Sequence, residues 1–356
     1  YTPRCVMEPF SGTGTTELVC ANKGISSFAL EINPFLVWLG NAKLGIYHRD
    51  KVEEFLSISN TLMQHIEEYV PTDFPPIYNI YRWWNPPQAE FLAKLKSAIK
   101  TVEDDAVVQL LTVSFCRIVI ELSNAAFNHV STSFKDGNEG FFSIDIAKEA
   151  FISVCEMVAK GALLQPRATS KVLLHDSRSI PAECYGAYDT VITSPPYPNR
   201  ISYIRELRPY MYWLDYLETS DQASDLDWQA IGGTWGRATS LLGTWKSDHS
   251  LPQYVYDIAE KISNADNKSA GLMANYVLKY FEDMQKHLSS VYAGLAAKGR
   301  VFYIIGNSNF YNITVPAEKI YVDMMTTIGF VDVEYHIVRK RNCNKQLYEF
   351  VVSGQK

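Results

Sequence analysis

Strand-like runs and predicted helices alternate at the start of the chain. Residues 5–8 and 27–32 have the length and apolar character of short buried strands. The first leads through a loop with two glycines into a predicted helix at 15–23, and Pro34 begins another helix that runs to about residue 46. Proline suits the first helical turn because its missing N–H would have no helical partner there. This order predicts the opening of a parallel α/β sheet.

Two long segments interrupt the alternation. Between residues 50 and 167, apolar residues recur at helical spacing with little strand character, as at Leu111, Phe115 and Ile118. Residues 218–270 are rich in Gly, Ser, Asp and Trp and show weak periodicity. We therefore expect a helical insertion followed later by a second, irregular insertion.

Strand character returns after each interruption. Runs at 172–175 and 189–192 follow the first insertion, and a buried strand is predicted at 300–305. The runs at 331–338 and 346–352 predict an antiparallel hairpin at the C-terminal end. The predicted fold class is α/β, with a mostly parallel sheet, a C-terminal antiparallel hairpin and two insertions.

Composition excludes several classes of protein. The chain has 356 residues, 47% hydrophobic and 20% charged, which is enough apolar material for a large core and excludes a disordered chain. No apolar stretch approaches the roughly 20 residues that span a bilayer. No basic-then-apolar leader follows Tyr1, and the start without methionine indicates that upstream residues are absent. We expect a cytoplasmic protein with no membrane partner.

Charge and cysteine spacing narrow the candidate partners. The net charge of −6 argues against a non-specific coat on nucleic acid, although it leaves room for a local basic groove. The six cysteines have no zinc-knuckle spacing and no disulfide pattern. We expect reduced, mostly buried thiols and no bound metal.

The first turn has the features of a nucleoside-cofactor site. Gly12 and Gly14 lie where a strand turns into a helix, and a side chain there would keep a ligand away from the backbone. Glu31 ends the second strand, where an acidic residue accepts ribose hydroxyls in dinucleotide-type folds. The alternative is a tight turn with a solvated glutamate. A phosphate loop is excluded because no Gly-Lys-Ser/Thr follows the glycines.

A third candidate feature of the cofactor site, after the glycine turn and Glu31, is Asp176, which follows the predicted strand at 172–175. Its carboxylate is a candidate acceptor for an adenine amino group. The alternative is an ordinary helix N-cap.

Ser194, Pro195, Pro196 and Tyr197 follow another predicted strand directly. Ligands collect at the carboxyl ends of parallel strands. Two prolines fix φ and hold a rigid loop, and the tyrosine adds a flat face with a polar tip. The tetrapeptide is therefore a candidate catalytic loop.

These motifs resemble those of the S-adenosylmethionine-dependent DNA amino-methyltransferases, the family that modifies cytosine N4 and adenine N6. The cofactor loop reads Glu-Pro-Phe-Ser-Gly-Thr-Gly, where the family usually has Asp-Pro-Phe and a glycine-rich continuation. The catalytic loop reads Ser-Pro-Pro-Tyr, within the family pattern of Asp, Asn or Ser, two prolines and an aromatic residue. The resemblance covers roughly half the chain and implies a Rossmann-like methyltransferase core.

The pattern of strand-like and helix-like segments sets the expected domain limits, and the second insertion is a candidate target-recognition region; the resemblance says little about either insertion. The core is expected in three parts, which carry the cofactor loop, the catalytic loop and the C-terminal strands. With the two insertions, the predicted segments are 1–49, 50–167, 168–217, 218–270 and 271–356.

The resemblance assigns roles to both loops. The Ser194 side chain and the Pro195 carbonyl are expected to accept hydrogen bonds from the target amino group, and Tyr197 is expected to stack on the flipped base. The cofactor is S-adenosylmethionine, with Phe10 and the glycine backbone at its methionine part, Glu31 at the ribose and Asp176 at the adenine. The full candidate cofactor set is Glu8, Phe10, Ser11, Gly12, Gly14, Glu31, Asp176 and Ser177.

The sequence differs from the usual family pattern in two places, and other features exclude related reactions and arrangements. Glu8 replaces the usual Asp and is longer by one methylene group. The family's segment before the glycine loop is not visible before Tyr1. No Pro-Cys pair occurs, which argues against methylation at cytosine carbon 5. The cofactor loop precedes the catalytic loop, which excludes the permuted arrangement.

Basic and aromatic residues near these loops are candidates for contact with double-stranded DNA. At the arginines after the catalytic loop and in the C-terminal cluster, phosphate binding is weighed against a salt-bridged or solvated surface. Around Trp235 and Arg237, a loop that orders on a DNA groove is weighed against a structural loop with a packed Trp. The candidates are Arg200, Arg205, Trp235, Arg237, Arg339, Arg341 and Lys345.

The sequence therefore predicts a DNA amino-methyltransferase of a restriction-modification or phage-defence system. A cognate endonuclease or defence subunits are the expected protein partners. Ser194 favours cytosine N4 over adenine N6. The alternatives are an RNA-base amino-methyltransferase and a catalytically inactive nucleic-acid-binding module.

Overall fold

The computed structural model describes residues 1–126, 133–134, 142–247, 251–341 and 346–356. The strands are β1 (Cys5–Glu8), β2 (Ser26–Glu31), β3 (Ala125–Ala126), β4 (Ser133–Phe134), β5 (Ser170–Leu174), β6 (Thr190–Thr193), β7 (Arg300–Gly306), β8 (Ser308–Phe310), β9 (Ile313–Val315), β10 (Val331–Lys340) and β11 (Tyr348–Gln355).

The α-helices are α1 (Thr15–Lys23), α2 (Pro34–Leu44), α3 (Arg49–Gln64), α4 (Ile80–Trp83), α5 (Pro86–Ile99), α6 (Asp105–Glu121), α7 (Ile144–Ala162), α8 (Tyr203–Trp213), α9 (Ser220–Gln229), α10 (Arg237–Thr244), α11 (Gln253–Ser263), α12 (Ala270–Gly294) and α13 (Ala317–Ile328). Short 3₁₀ turns occur at Ile66–Glu68 and Ala182–Cys184.

Seven strands form the central sheet in the order β10-β11-β7-β6-β1-β2-β5. Strands β5, β2, β1, β6 and β7 pair in parallel, whereas β11 is antiparallel to both β7 and β10. The predicted Rossmann-like methyltransferase core, with its C-terminal antiparallel hairpin, is confirmed. The chain runs from β1 outward to β2 and β5, and then returns to β6 and β7 on the other side. Ligands of such sheets bind at the point where the order reverses, which here lies between β1 and β6.

The described residues form two compact units. The core unit comprises residues 1–40, 167–205 and 224–356, and it contains the whole seven-stranded sheet. The helical unit comprises residues 41–166 and 206–223. No helix among the described residues combines the length and hydropathy needed to cross a membrane.

Helix α12 shares a hydrophobic core with the strands of the sheet within the core unit. Its stripe of Met273, Val277, Phe281 and Leu288 is buried in the same hydrophobic cluster as the strand residues. Burial of each such side chain contributes about 1.5–3 kcal/mol to folding. These α12 side chains and the inward-facing strand residues therefore form one core within this unit.

The helical unit has its own aromatic core. The Trp84 Nε1–H donates to the Val119 carbonyl at 2.7 Å, and its ring meets that of Trp213 edge-on at 5.6 Å. Phe115 packs edge-on against the same Trp213 ring at 5.7 Å. The helical character expected of 50–167 is present, with the two short strands β3 and β4 as an addition.

The composition of segment 218–270 predicted an irregular insertion, and this prediction is wrong. The segment contains helices α9, α10 and α11. On α11, Val255, Ala259 and Ile262 are buried at steps of four and three residues. Each of these helices has only 8 to 11 residues, with Gly, Ser and Asp between them. That mixture masks the periodicity when the whole segment is taken together.

Candidate active site

The turn between β1 and α1 needs glycine at two positions. Gly12 and Gly14 have φ of 53° and 76°, in the left-handed region that other residues rarely adopt. A Cβ at Gly14 would also lie 3.2 Å from the Gly40 Cα of helix α2. A Cβ at Gly12 would meet only the Phe10 carbonyl oxygen, at 4.0 Å. Gly14 is thus required by packing, while the space beside Gly12 is not filled by described protein atoms.

Glu31 holds this turn from the end of β2. Its Oε2 accepts from the Gly12 N–H and its Oε1 from the Asn33 N–H, both at 2.9 Å. Burial raises the pKa of Glu31, and these backbone hydrogen bonds oppose that rise. Each carboxylate oxygen has two lone pairs, so acceptor capacity remains for the two hydroxyls of a ribose.

Ser11 adds an observation that points to a ligand. Its Oγ is buried and has no hydrogen-bond partner within the described part of the chain. A buried hydroxyl of this kind is costly unless something accepts or donates to it. Together with the open side of Gly12 and the acceptors of Glu31, it makes a turn whose residues fit a nucleoside cofactor.

Asp176 is engaged more fully than the sequence indicated. Its Oδ1 accepts from the Arg178 backbone N–H at 2.9 Å, and its Oδ2 accepts from the Arg178 guanidinium at 2.6 Å. Burial raises the pKa of Asp176, but the hydrogen bonds from Arg178 outweigh it and the net shift is downward. Contact with an adenine amino group stays a prediction, and it requires the carboxylate to share its acceptors with Arg178.

Glu8 joins the two predicted loops. Its buried carboxylate accepts from the Phe10 N–H at 3.1 Å and the Thr16 hydroxyl at 2.9 Å, and also from the Thr193 hydroxyl. Thr193 ends β6, immediately before the catalytic tetrapeptide. Burial raises the pKa of Glu8 well above its ordinary value, against these hydrogen bonds. The structure therefore gives Glu8 a bridging position between the loops in place of an open ligand site.

The candidate catalytic loop, residues 194–197, has an exposed first residue, while its other residues are buried or half-buried. Ser194 is exposed and Pro195 is buried, while Tyr197 is half-buried. The Tyr197 ring packs so closely on the end of β7 that a Cβ at Gly306 would lie 2.9 Å from its Cδ2. Burial raises the pKa of Tyr197, and a hydrogen bond with Ser194 opposes it.

Arg341 lies beside this loop. Its Cζ is 5.9 Å from the centroid of the Tyr197 ring, and its Nη2 donates to the Asn307 carbonyl. The Arg341 Nε is buried and has no partner within the described ranges. Strand β11 lies between β10 and β7, and this brings the end of the hairpin back to the catalytic loop.

The segment before α10 also contacts the catalytic loop. A Cβ at Gly232, whose φ is 78°, would lie 3.9 Å from the Pro196 Cβ. Asp227 accepts from the Trp235 N–H at 2.7 Å and from the Ser202 hydroxyl. The Ser202 Oγ in turn accepts from the Arg205 N–H at 3.1 Å in the first turn of α8. This part of the second insertion is therefore built into the site.

The other predicted DNA contacts have diverse surroundings. Arg200 is exposed, and its N–H donates to the Tyr276 hydroxyl at 3.1 Å. Arg237 is paired with Asp225 at 3.0 Å, and Arg339 with Glu349 at 2.6 Å. The Arg237–Asp225 pair is exposed and contributes little to stability, so exchange of Asp225 for a phosphate costs little. Lys345 lies outside the described residues.

Four residues that support the two loops were not predicted from the sequence. They are Tyr280, His287, Tyr303 and Tyr321. All are buried. Tyr280 and His287 bond to loop residues, whereas the Tyr321 and Tyr303 hydroxyls bond to Tyr280 and His287 respectively. The Tyr280 hydroxyl donates to the Pro196 carbonyl at 2.7 Å. His287 contacts the Ser177 carbonyl and the Phe10 ring. On the sequence these positions only extend apolar stripes, so no local signal distinguishes them from ordinary core.

Comparison with known proteins gives one distant likeness. The chain is similar to the Type II methyltransferase M.MvaI of Kocuria varians, with 21% identity over 345 residues. The aligned region makes up 88% of this chain and 72% of that relative. It extends beyond the α/β core that carries the two motifs, and it supports a methyltransferase. No protein-family model matches the chain, and no solved structure matches it.

Proposed function

We propose that this protein is a DNA methyltransferase that transfers a methyl group from S-adenosylmethionine to an exocyclic amino group of a flipped base. One observation carries the proposal. The glycine turn with Glu31 and the Ser-Pro-Pro-Tyr loop lie at the ends of the adjacent strands β1 and β6, and Glu8 bonds to both. The likeness to a Type II methyltransferase supports DNA as the substrate and a role in restriction-modification.

The residues of the first turn would hold the cofactor. Phe10 and the backbone at Gly12 and Gly14 would contact the methionine part, and Glu31 the ribose hydroxyls. When bound, S-adenosylmethionine supplies a methyl group already activated on a sulfonium. The adenine contact of Asp176 and Ser177 belongs to the same proposal.

The catalytic loop would work by position and electrostatics. An exocyclic amino nitrogen is a poor nucleophile because its lone pair is delocalised into the base. Acceptance of its two hydrogens by the Ser194 hydroxyl and the Pro195 carbonyl draws that nitrogen toward tetrahedral geometry. Tyr197 would stack on the extruded base, and that contact of about 1–3 kcal/mol offsets part of the cost of flipping. No covalent intermediate is needed.

Cytosine N4 is the favoured target, on the strength of Ser at position 194, with adenine N6 second. The test incubates the purified protein with isotope-labelled cofactor and duplex DNA or RNA, followed by mass spectrometry of the nucleosides. We expect labelled N4-methylcytosine from DNA. Label in N6-methyladenine would overturn the base choice alone, and label only in RNA would overturn the DNA assignment.

Tyr197→Ala tests the catalytic loop. Loss of base stacking worth about 1–3 kcal/mol should lower the methylation rate by about fivefold to about 150-fold. Affinity for S-adenosylhomocysteine, measured by calorimetry, should change little because the glycine turn is intact. An unchanged methylation rate would remove Tyr197 from the mechanism.

A further inference from the structure

Helix α12 and its neighbours place polar side chains inside the hydrophobic core behind both loops. Tyr280 and His287 lie on α12, Tyr303 on β7 and Tyr321 on α13, and none is more than 1% exposed. Buried hydroxyl and imidazole groups are costly unless they are hydrogen-bonded. Their partners therefore show what the arrangement holds in place.

The hydrogen bonds of His287 have a fixed direction. The Ser177 carbonyl lies 2.9 Å from Nδ1 and can only accept, so Nδ1 carries the proton. Nε2 then accepts from the Tyr303 hydroxyl, also at 2.9 Å. The Phe10 ring centroid lies 4.8 Å from that of the imidazole. His287 thus contacts two predicted cofactor residues from opposite ends of that site, Phe10 after β1 and Ser177 after β5.

The hydrogen bonds of Tyr280 are directed in the same way. Its hydroxyl donates to the Pro196 carbonyl at 2.7 Å, so the Tyr321 hydroxyl, 3.0 Å away, donates to Tyr280. The rings of Tyr303 and Tyr321 pack edge-on with centroids 5.9 Å apart. One buried cluster therefore ends at the cofactor residues on one side and at the catalytic loop on the other.

We propose that His287 and Tyr280 are positioning residues with separable tasks: His287 sets the cofactor side through Ser177 and Phe10, and Tyr280 sets the catalytic loop through Pro196. This inference rests on the proposed methyltransferase function. Neither residue touches the reacting atoms. Each acts through a loop that does.

Tyr188 provides a matched control. It is as fully buried as Tyr280, and its hydroxyl also donates to a backbone carbonyl, that of Val291 on α12, at 3.2 Å. It lies just before β6, at the end of the strand away from the catalytic loop. Tyr188→Phe removes a hydroxyl from the same core without disturbing either loop.

Two substitutions separate the hydrogen bonds of His287. In His287→Asn the amide nitrogen replaces Nδ1 and still donates to Ser177. In His287→Gln the amide lies near the position of Nε2, and the Ser177 bond is lost. Loss of one buried hydrogen bond corresponds to about a tenfold change in an equilibrium or rate. Affinity for S-adenosylhomocysteine, by calorimetry, should therefore fall about tenfold in the Gln variant and by less than about threefold in the Asn variant.

Tyr280→Phe should show the opposite pattern. We expect the single-turnover methylation rate at saturating cofactor to fall about tenfold, with S-adenosylhomocysteine affinity within about threefold of the parent. Tyr321→Phe, which removes only the donor to Tyr280, should lower the same rate to a smaller extent. Tyr188→Phe should leave both quantities within about threefold of the parent.

The outcomes distinguish this inference from the proposed function. Equal affinity losses in the Asn and Gln variants would overturn the role of His287. Loss of rate in Tyr280→Phe no greater than in Tyr188→Phe would overturn that of Tyr280. A parent protein that neither binds S-adenosylhomocysteine nor methylates DNA would instead overturn the proposed function itself.

Discussion

Burial leaves His287 neutral at physiological pH. Desolvation lowers the pKa of His287 to about 4 from its ordinary value of 6.5, and the hydrogen bond with the Ser177 carbonyl opposes the shift. Between these two pKa values the unfolded chain takes up a proton that the folded chain does not. The contribution of His287 to the free energy of unfolding is therefore complete above pH 6.5 and is lost as the pH falls toward 4.

This behaviour predicts a pH-dependent difference between the parent and His287→Asn. The parent should lose about 2 kcal/mol more of its free energy of unfolding between pH 7 and pH 4.5, because the variant lacks the titrating group. Urea unfolding at the two pH values measures this difference. Parallel losses in both proteins would contradict it.

The glycines of the turn between β1 and α1 meet two different requirements, close packing against α2 and open space for the proposed cofactor. Gly14 and Gly24 flank α1 with nearly equal φ of 76° and 73°. A Cβ at Gly24 would meet no atom within 4 Å, whereas one at Gly14 would meet helix α2. Gly12 combines a positive φ with open space on the proposed cofactor side.

Three alanine substitutions separate strain, packing and binding in this element. Gly24→Ala and Gly12→Ala should each lower the free energy of unfolding by about 1–2 kcal/mol through backbone strain alone. Gly14→Ala should cost more because its Cβ meets α2. Gly12→Ala should also abolish binding of S-adenosylhomocysteine. Gly24→Ala, which has the same backbone strain and no clash, should leave that binding intact. The measurements are urea unfolding and calorimetry, and equal binding by the Gly12 and Gly24 variants would contradict the placement.

Locally encoded features were predictable from the sequence. The glycine turn, the β1 and β6 ends and the C-terminal strands follow from short-range patterns, and each is where the sequence indicated. The rest depends on which elements pack together. The insertion of β11 between β10 and β7 brings Arg341 to Tyr197, and the packing of α12 turns His287 toward Ser177. Neither contact has a signature in the residues that make it.

The net charge of the whole molecule is unfavourable for binding to DNA, the proposed substrate. A chain with a net charge of −6 repels DNA on average, so binding must rest on a few local cations such as the exposed Arg200. Lys51 offers a contrast, since its Nζ is held between Asp104 at 2.6 Å and Glu54 at 2.8 Å.

DNA affinity should therefore depend steeply on salt. If Arg200 contacts a phosphate, Arg200→Ala should reduce the slope of log affinity against log salt by about 0.9, and Lys51→Ala should leave it unchanged. Fluorescence anisotropy with duplex DNA across a salt series measures the slope. A loss of affinity with the slope intact would mean that Arg200 contacts bases and not the backbone.

The carboxyl group of Glu8 constrains any attempt to redesign the enzyme. It ties the Thr193 end of β6 to the start of the first turn, so a change that displaces one strand tip strains the other. Efforts to change the proposed base preference through Ser194 should therefore keep residue 8 at its present length. Shortening it to aspartate should loosen the glycine turn and the start of the Ser194–Tyr197 loop together.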